Sequence, residues 1–151
     1  RIKMEKEKKH KLLVVDATGC RLGRLASWVA KQARKGNQLW VINCKDAIIV
    51  GNPKQILDKY MQRLRRGRGS QKGPYLSRTV EGLVKRAIRG MIGWKKASGK
   101  EAFKRVKCFE SIPEEIPTNA KKVDLPKEFK KEALKFISIA KLSSLLRGGK
   151  Q

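Results

Sequence analysis

LLVVDATGCRLGRLASWVAKQARKGNQLWVINC, residues Leu12 to Cys44, decides the fold. It begins with a short apolar, valine-containing run that ends at Asp16, where turn residues start. Length and composition make Leu12–Asp16 a buried strand. After Ala17-Thr-Gly-Cys, apolar positions recur at Leu22, Leu25, Ala26, Val29 and Ala33. That spacing is helical. Gly36 and Asn37 supply a stop, and Arg34 and Lys35 suit the negative end of the helix dipole. Leu39 to Cys44 then reads as a second strand. Strand, helix and strand in this length form a βαβ unit, which predicts parallel strands and a right-handed crossover. Trp40, in the strand, is expected in the core, and Trp28, off the helix's apolar stripe, at its border.

Outward from this unit, Ala47–Val50 predicts another short strand. Asn52 and Pro53 have the chemistry of an N-cap and first helical position. Ile56, Leu57, Tyr60, Met61 and Leu64 then fall on one helix face, with mostly charged residues opposite. A later helix, capped by Ser77 or Thr79, has the stripe Val80, Leu83, Val84, Ala87, Ile88 and Met91, and ends or is interrupted at Gly90 and Gly93. Ser98-Gly-Lys-Glu101 is a capping-box pattern for a short helix. Val106–Phe109 alternates like a strand, and Pro113 to Pro117 breaks regular structure. A helical turn near Pro126, a strand at Phe136–Ile139 and a last helix ending at Gly148 complete the chain. The expected organisation is one α/β domain over residues 12–147, with a basic tail at 1–11, an internal basic arm at 63–78 and a short tail at 148–151. No internal repeat is present.

Charge sets the partner. The 151 residues carry 38 Lys and Arg against 13 Asp and Glu, a formal net charge of +25. Between Tyr60 and Lys107 alone there are 15 cations and two carboxylates, Glu81 and Glu101. Such a density repels itself unless a polyanion neutralises it, and solubility needs far less. Nucleic acid is the indicated partner. The segment RLRRGRGSQKGPY, residues 63–75, is the densest part and the poorest in core material, so it is expected to be ordered by RNA rather than by its own packing. From Cys108 onward the charge is nearly balanced, at nine cations and six acids. No run of about 18 apolar residues exists to span a bilayer. The charged N-terminus lacks an apolar signal core, which leads us to expect a cytosolic protein and no membrane partner.

Catalytic and cofactor signals are weak. Gly19-x-x-x-Gly23 matches neither a dinucleotide fingerprint nor a P-loop. It is better read as a glycine turn that lets the helix pack close to the sheet. Gly67-Arg-Gly69 follows a helix, the wrong context for a phosphate loop. His10 is the single histidine and lies in a charged tail. Asp16 and Asp46 lie near strand ends, but turn and cap roles account for them. Cys20, Cys44 and Cys108 form no Cys-x-x-Cys, and Cys44 and Cys108 read as small buried residues. We therefore expect no enzyme activity, no metal, no cofactor and no small-molecule substrate. The candidate RNA contacts are Arg21 and Arg24 at the first helix, then Arg63, Arg65, Arg66, Arg68, Lys72 and Arg78 along the arm. Arg86, Arg89, Lys95, Lys96 and Lys100 continue the series. Tyr75 and Trp94 are placed to stack on a base or sugar, as unpaired RNA is commonly held.

Four stretches, in this order, resemble the large-subunit ribosomal protein thirteen family in its archaeal and eukaryotic branch. They are VVDATGCRLGRLAS (14–27), VINCKDAIIVG (41–51), RAIRGMI (86–92) and GKEAF (99–103). The resemblance implies a three-layer α/β/α domain around a small parallel sheet. It also implies a non-catalytic, structural role in the large ribosomal subunit of the cytoplasm, with large-subunit rRNA and neighbouring ribosomal proteins as partners. It makes Arg86, Arg89, Lys95 and Lys96 the firmest rRNA contacts, whereas Arg65, Arg66, Arg68 and Lys72 rest on charge. One departure is visible: the family commonly has Leu-Pro after Arg-Gly-Met, and this chain has Ile92-Gly93, which should loosen the turn. A free RNA-binding regulator of translation shares these features and is the alternative; a nucleotide-binding enzyme is the weaker one.

Overall fold

The computed structural model describes residues 10–66, 75–130 and 133–148. Strand β1 (Leu12–Asp16), helix α1 (Leu22–Arg34) and strand β2 (Gln38–Ile42) form the expected unit. The two strands pair in parallel, Leu12 opposite Gln38 and Asp16 opposite Ile42. Helix α1 buries the stripe read from the sequence, together with Ala30. Ile48–Val50 is strand β3, but it does not join this sheet.

Helix α2 (Pro53–Arg65) starts as its sequence dictates: the Asn52 side chain accepts the Lys54 N–H at 3.1 Å, and proline occupies the first turn. Helix α3 (Val80–Met91) is capped by Thr79, whose Oγ1 accepts the Gly82 N–H at 3.1 Å. Helix α4 (Ala97–Lys104) starts before the expected Ser98 cap. Lys96 takes the cap position with no side-chain bond, because the turn before it already directs the chain: the Lys96 N–H donates to the Gly93 carbonyl at 3.1 Å. Strands β4 (Val106–Cys108), β5 (Lys121–Val123) and β6 (Phe136–Ser138) and helix α5 (Ile139–Leu146) complete the described elements. A 3₁₀ turn at Lys127–Lys130 occupies the predicted position near Pro126.

The main sheet is parallel, in the order β4-β2-β1-β5, and β3 pairs separately and antiparallel with β6. With five helices, this is the expected three-layer α/β class. Leu13 and Val15 of β1, Leu39 and Val41 of β2, and Val106 and Cys108 of β4 share one sheet face. They pack with the buried stripes of α1, α3 and α5 into one core. Helix α1 contacts α3 and α4, and α5 packs against both α3 and α2.

Three local expectations change. Trp40 is half-exposed on the sheet face away from that core, beside Phe109 with ring centroids 4.9 Å apart and under the Lys107 ammonium at 5.5 Å. Strand alternation explains this, since Leu39 and Val41 take the inward positions. Gly19 is required by its backbone, with φ of +69°, but a Cβ on Gly23 would meet no atom within 4 Å. Close helix–sheet packing is therefore not the reason for glycine at position 23. Gly93 has φ of +77°, which proline cannot adopt, so the departure from Leu-Pro creates a different defined turn rather than a loose one. Trp28 does border the core, and all three cysteines are buried.

Candidate nucleic-acid interface

Helix α3 is the spine of the basic surface. Its apolar stripe fixes Val80, Leu83, Val84 and Ile88 inward. Helical geometry then places Arg86 and Arg89, three residues apart, together on an outer face. Ile92 is buried and pins the chain just past the helix, and Gly93 turns it so that Trp94, Lys95 and Lys96 come back beside α3. The close approach of α4 holds that turn: a Cβ on Gly99 would lie 2.6 Å from the Gly93 carbonyl carbon.

The result is a groove of about 550 Å³ lined by Arg86, Arg89, Trp94, Lys95 and Lys96 with Gly90 and Gly93. Among the described residues no carboxylate lines it. The Arg89 guanidinium lies over the Trp94 ring, 4.6 Å from its centroid. Phe103 of α4 meets Trp94 nearly at right angles, at 82° and 5.1 Å, and the Lys85 ammonium lies 5.6 Å from the Phe103 ring. Lys85, Phe103, Trp94 and Arg89 thus form a chain of two adjoining rings with a cation at each end. A second groove between α2 and α3, of about 400 Å³, shares Arg86 and Gly90 with the first and adds Arg63. Arg63 itself lies 5.4 Å from the Tyr60 ring centroid.

The structure therefore brings together Arg63, Arg86, Arg89, Trp94, Lys95 and Lys96. Lys100 lies one turn along α4, its N–H bonded to the Lys96 carbonyl. Arg65 lines a different groove on α2, with Asp58 and Lys59, and Arg66 is the exposed cap residue of that helix. Arg24 is exposed but engaged: its Nη1 donates to the Glu128 carbonyl at 2.9 Å. The Arg21 N–H donates to the Phe129 carbonyl, so the start of α1 holds the Lys127–Lys130 turn. Tyr75 is 81% exposed. Arg78 is exposed at its side chain, while its carbonyl accepts the hydroxyl of buried Ser143 on α5. Arg68 and Lys72 lie outside the described residues.

One further set of cations joins this surface without having been read as RNA contacts. Lys31, Arg34 and Lys35 line a groove of about 540 Å³ with Met91, at the end of α3. Their spacing off the α1 stripe was the available signal.

Other chemistry is structural. Asp16 Oδ1 accepts the Thr18 N–H at 2.9 Å, the Thr18 hydroxyl at 2.6 Å and Asn43 Nδ2 at 3.2 Å. Burial pushes its carboxyl pKa up, but these bonds and the charge of Lys130 outweigh burial and hold it below the ordinary value. A bond to Cys44, followed by burial, keeps the Cys108 thiol pKa well above its usual range. Burial raises Cys20 likewise. Among the described residues no group of three or more His, Cys, Asp or Glu is placed to hold a metal ion, and no helix is long and apolar enough to cross a membrane.

A small α/β domain with cation-lined grooves has the surface expected of a nucleic-acid-binding protein. Comparison with known proteins is more specific. Residues 10–115 match the family described as Ribosomal protein L13, and the chain belongs to that family. A large ribosomal subunit protein uL13 from Methanococcus maripaludis is 36% identical over 138 residues, covering 89% of this chain and 97% of that protein. One from Haloarcula marismortui is 33% identical over 138 residues, covering 91% and 92%. One from Archaeoglobus fulgidus is 39% identical over 103 residues, 68% of this chain; the match spans 65% of that protein, just under two thirds.

Proposed function

We propose that this chain is a structural constituent of the large ribosomal subunit, where it binds and scaffolds rRNA and has no catalytic role. Family membership supports the assignment. The observation on the molecule that carries it is the pair of joined grooves running from Arg63 through Arg86 and Arg89 to Lys96, lined by cations and no carboxylate. Phosphate contacts of this kind position RNA without reading its sequence. The apolar domain, over residues 12–147, fixes where α2, α3 and the 93–96 turn stand. The arm at 63–78, including Arg65, Arg66, Arg68, Lys72, Tyr75 and Arg78, extends the basic surface between rRNA segments. Arg21, Arg24 and Lys100 flank it. Neighbouring large-subunit proteins are its other partners, and the site of action is the cytoplasmic ribosome.

Sucrose-gradient sedimentation of a cell lysate tests the assignment. The chain is expected to travel with large subunits and whole ribosomes in near-stoichiometric amount. Recovery mainly at the top of the gradient would instead mark a free RNA-binding regulator.

A further inference from the structure

We propose that the groove at the end of α3 takes one unpaired nucleotide of RNA, with its base stacked on Arg89 and not on Trp94. The inference rests on the rRNA-binding reading above and names what this groove holds. Trp94 has the side chain usually chosen for stacking, yet it is half-buried and already has two partners, Arg89 over its ring and Phe103 at 82°. Arg89 is exposed. Its guanidinium is planar and sits over the indole, 4.6 Å from the ring centroid, on an exposed residue. A guanidinium held this way has lost much of its rotational freedom before RNA arrives, so stacking a base on it costs less entropy. Arg86, Lys95 and Lys96 surround it with charge and bring no carboxylate. They are placed to take the sugar-phosphate on either side of the extruded base. The volume, about 550 Å³, is of the size that holds one small ligand such as a single nucleotide. A paired base presents no free face, so the groove selects an unpaired one.

Trp94 and Phe103 are then positioning residues. They act through Arg89, supported in turn by the Gly93–Gly99 contact.

The test starts with the full chain and protein-free large-subunit rRNA. Ultraviolet crosslinking and mass spectrometry locate the nucleotide joined to the peptide around residues 86–96. That nucleotide is expected to be reactive to base-specific chemical probing in the free rRNA. A short synthetic RNA carrying it is then made with and without an abasic substitution at that nucleotide. Loss of the base and Arg89→Lys should each weaken binding by roughly five- to thirtyfold. Together they should weaken it no further than either alone, and the salt dependence should stay as in the wild type. Trp94→Leu should give a similar loss. An abasic RNA bound within twofold of the intact one, or losses that simply add, would overturn the proposal. The wider reading fails separately: it falls if replacing Arg86, Lys95 and Lys96 together with Gln leaves rRNA affinity and its salt slope unchanged.

Discussion

Gly99→Ala couples the fold to the interface most directly. An alanine Cβ would run into the Gly93 carbonyl oxygen, with that carbonyl's carbon at 2.6 Å and the Ile92 carbonyl oxygen at 3.1 Å. Ordinary heavy-atom contact is ~3.5–4.0 Å, so the 93–96 turn must retreat by more than about 1 Å. Overpacking of this kind costs about 1–3 kcal/mol. Alanine's better helix propensity returns ~0.8–1 kcal/mol, leaving a net loss of about 1 kcal/mol. For a chain of this size that lowers the melting temperature by roughly 2–4 °C. The control is Gly90→Ala, where the added Cβ meets nothing within 4 Å and the helix should gain a few tenths to ~1 kcal/mol. The same displacement pulls Trp94 from beneath Arg89, so rRNA binding should weaken several-fold at a temperature where the variant is fully folded. Urea unfolding gives the first number and filter binding to rRNA the second. If Gly99→Ala proves as stable as Gly90→Ala, or binds rRNA like the wild type, the claim that α4 positions this turn is wrong.

Three further outcomes are expected. Ser143→Ala removes the buried hydroxyl that satisfies the Arg78 carbonyl, which should cost about 1–3 kcal/mol in urea unfolding and raise protease cleavage near residue 78. Asp16→Ala should cost about 1 kcal/mol at neutral pH, a modest figure because the carboxylate is exposed and screened. Its folded pKa lies below the ordinary 3.8, so its stabilisation is present above that value and fades as pH falls through the folded pKa. The wild-type and variant curves should therefore converge in acid, and a constant gap down to pH 2 would contradict the bonding to Thr18 and Asn43. Cys20, Cys44 and Cys108 are buried, and the raised pKa values of Cys20 and Cys108 favour the thiol, so native protein should resist alkylation at pH 8 and react promptly in urea.

The βαβ unit was legible because two periods sit side by side over a long stretch, the alternation of β1 and β2 and the 3.6-residue stripe of α1. Asn52-Pro53 and Thr79 were legible because caps are local chemistry. Strand β5 was not: Lys121-Lys-Val has three residues, two of them exposed lysines, and only its register with Leu13–Val15 makes it a strand. Pairing of β3 with β6 joins segments nearly ninety residues apart, beyond any local signal. Trp40 was misplaced because an aromatic residue in an apolar run looks buried until the neighbouring strands show which face is inward.

The interface divides in the same way. Helical spacing placed Arg86 and Arg89 together, and density of charge marked the whole region. What spacing does not reveal is the engagement of a side chain far along the chain. Arg24 and Glu128 are 104 residues apart, yet their contact ties one predicted RNA-binding arginine to the protein itself. The turn at Gly93 brings Trp94 beneath Arg89, a contact that helical spacing alone does not announce.

The central claim is that phosphate neutralisation by this basic surface holds the chain on large-subunit rRNA. Equilibrium binding of the purified protein to that rRNA across a salt series measures it most directly. If about ten phosphates are contacted, log affinity should fall with log salt at a slope of roughly −7 to −9. Replacing Arg63, Arg86, Arg89, Lys95 and Lys96 together with Gln should remove about four units of that slope. Weak association that is indifferent to salt, or an unchanged slope in the five-fold variant, would contradict the account.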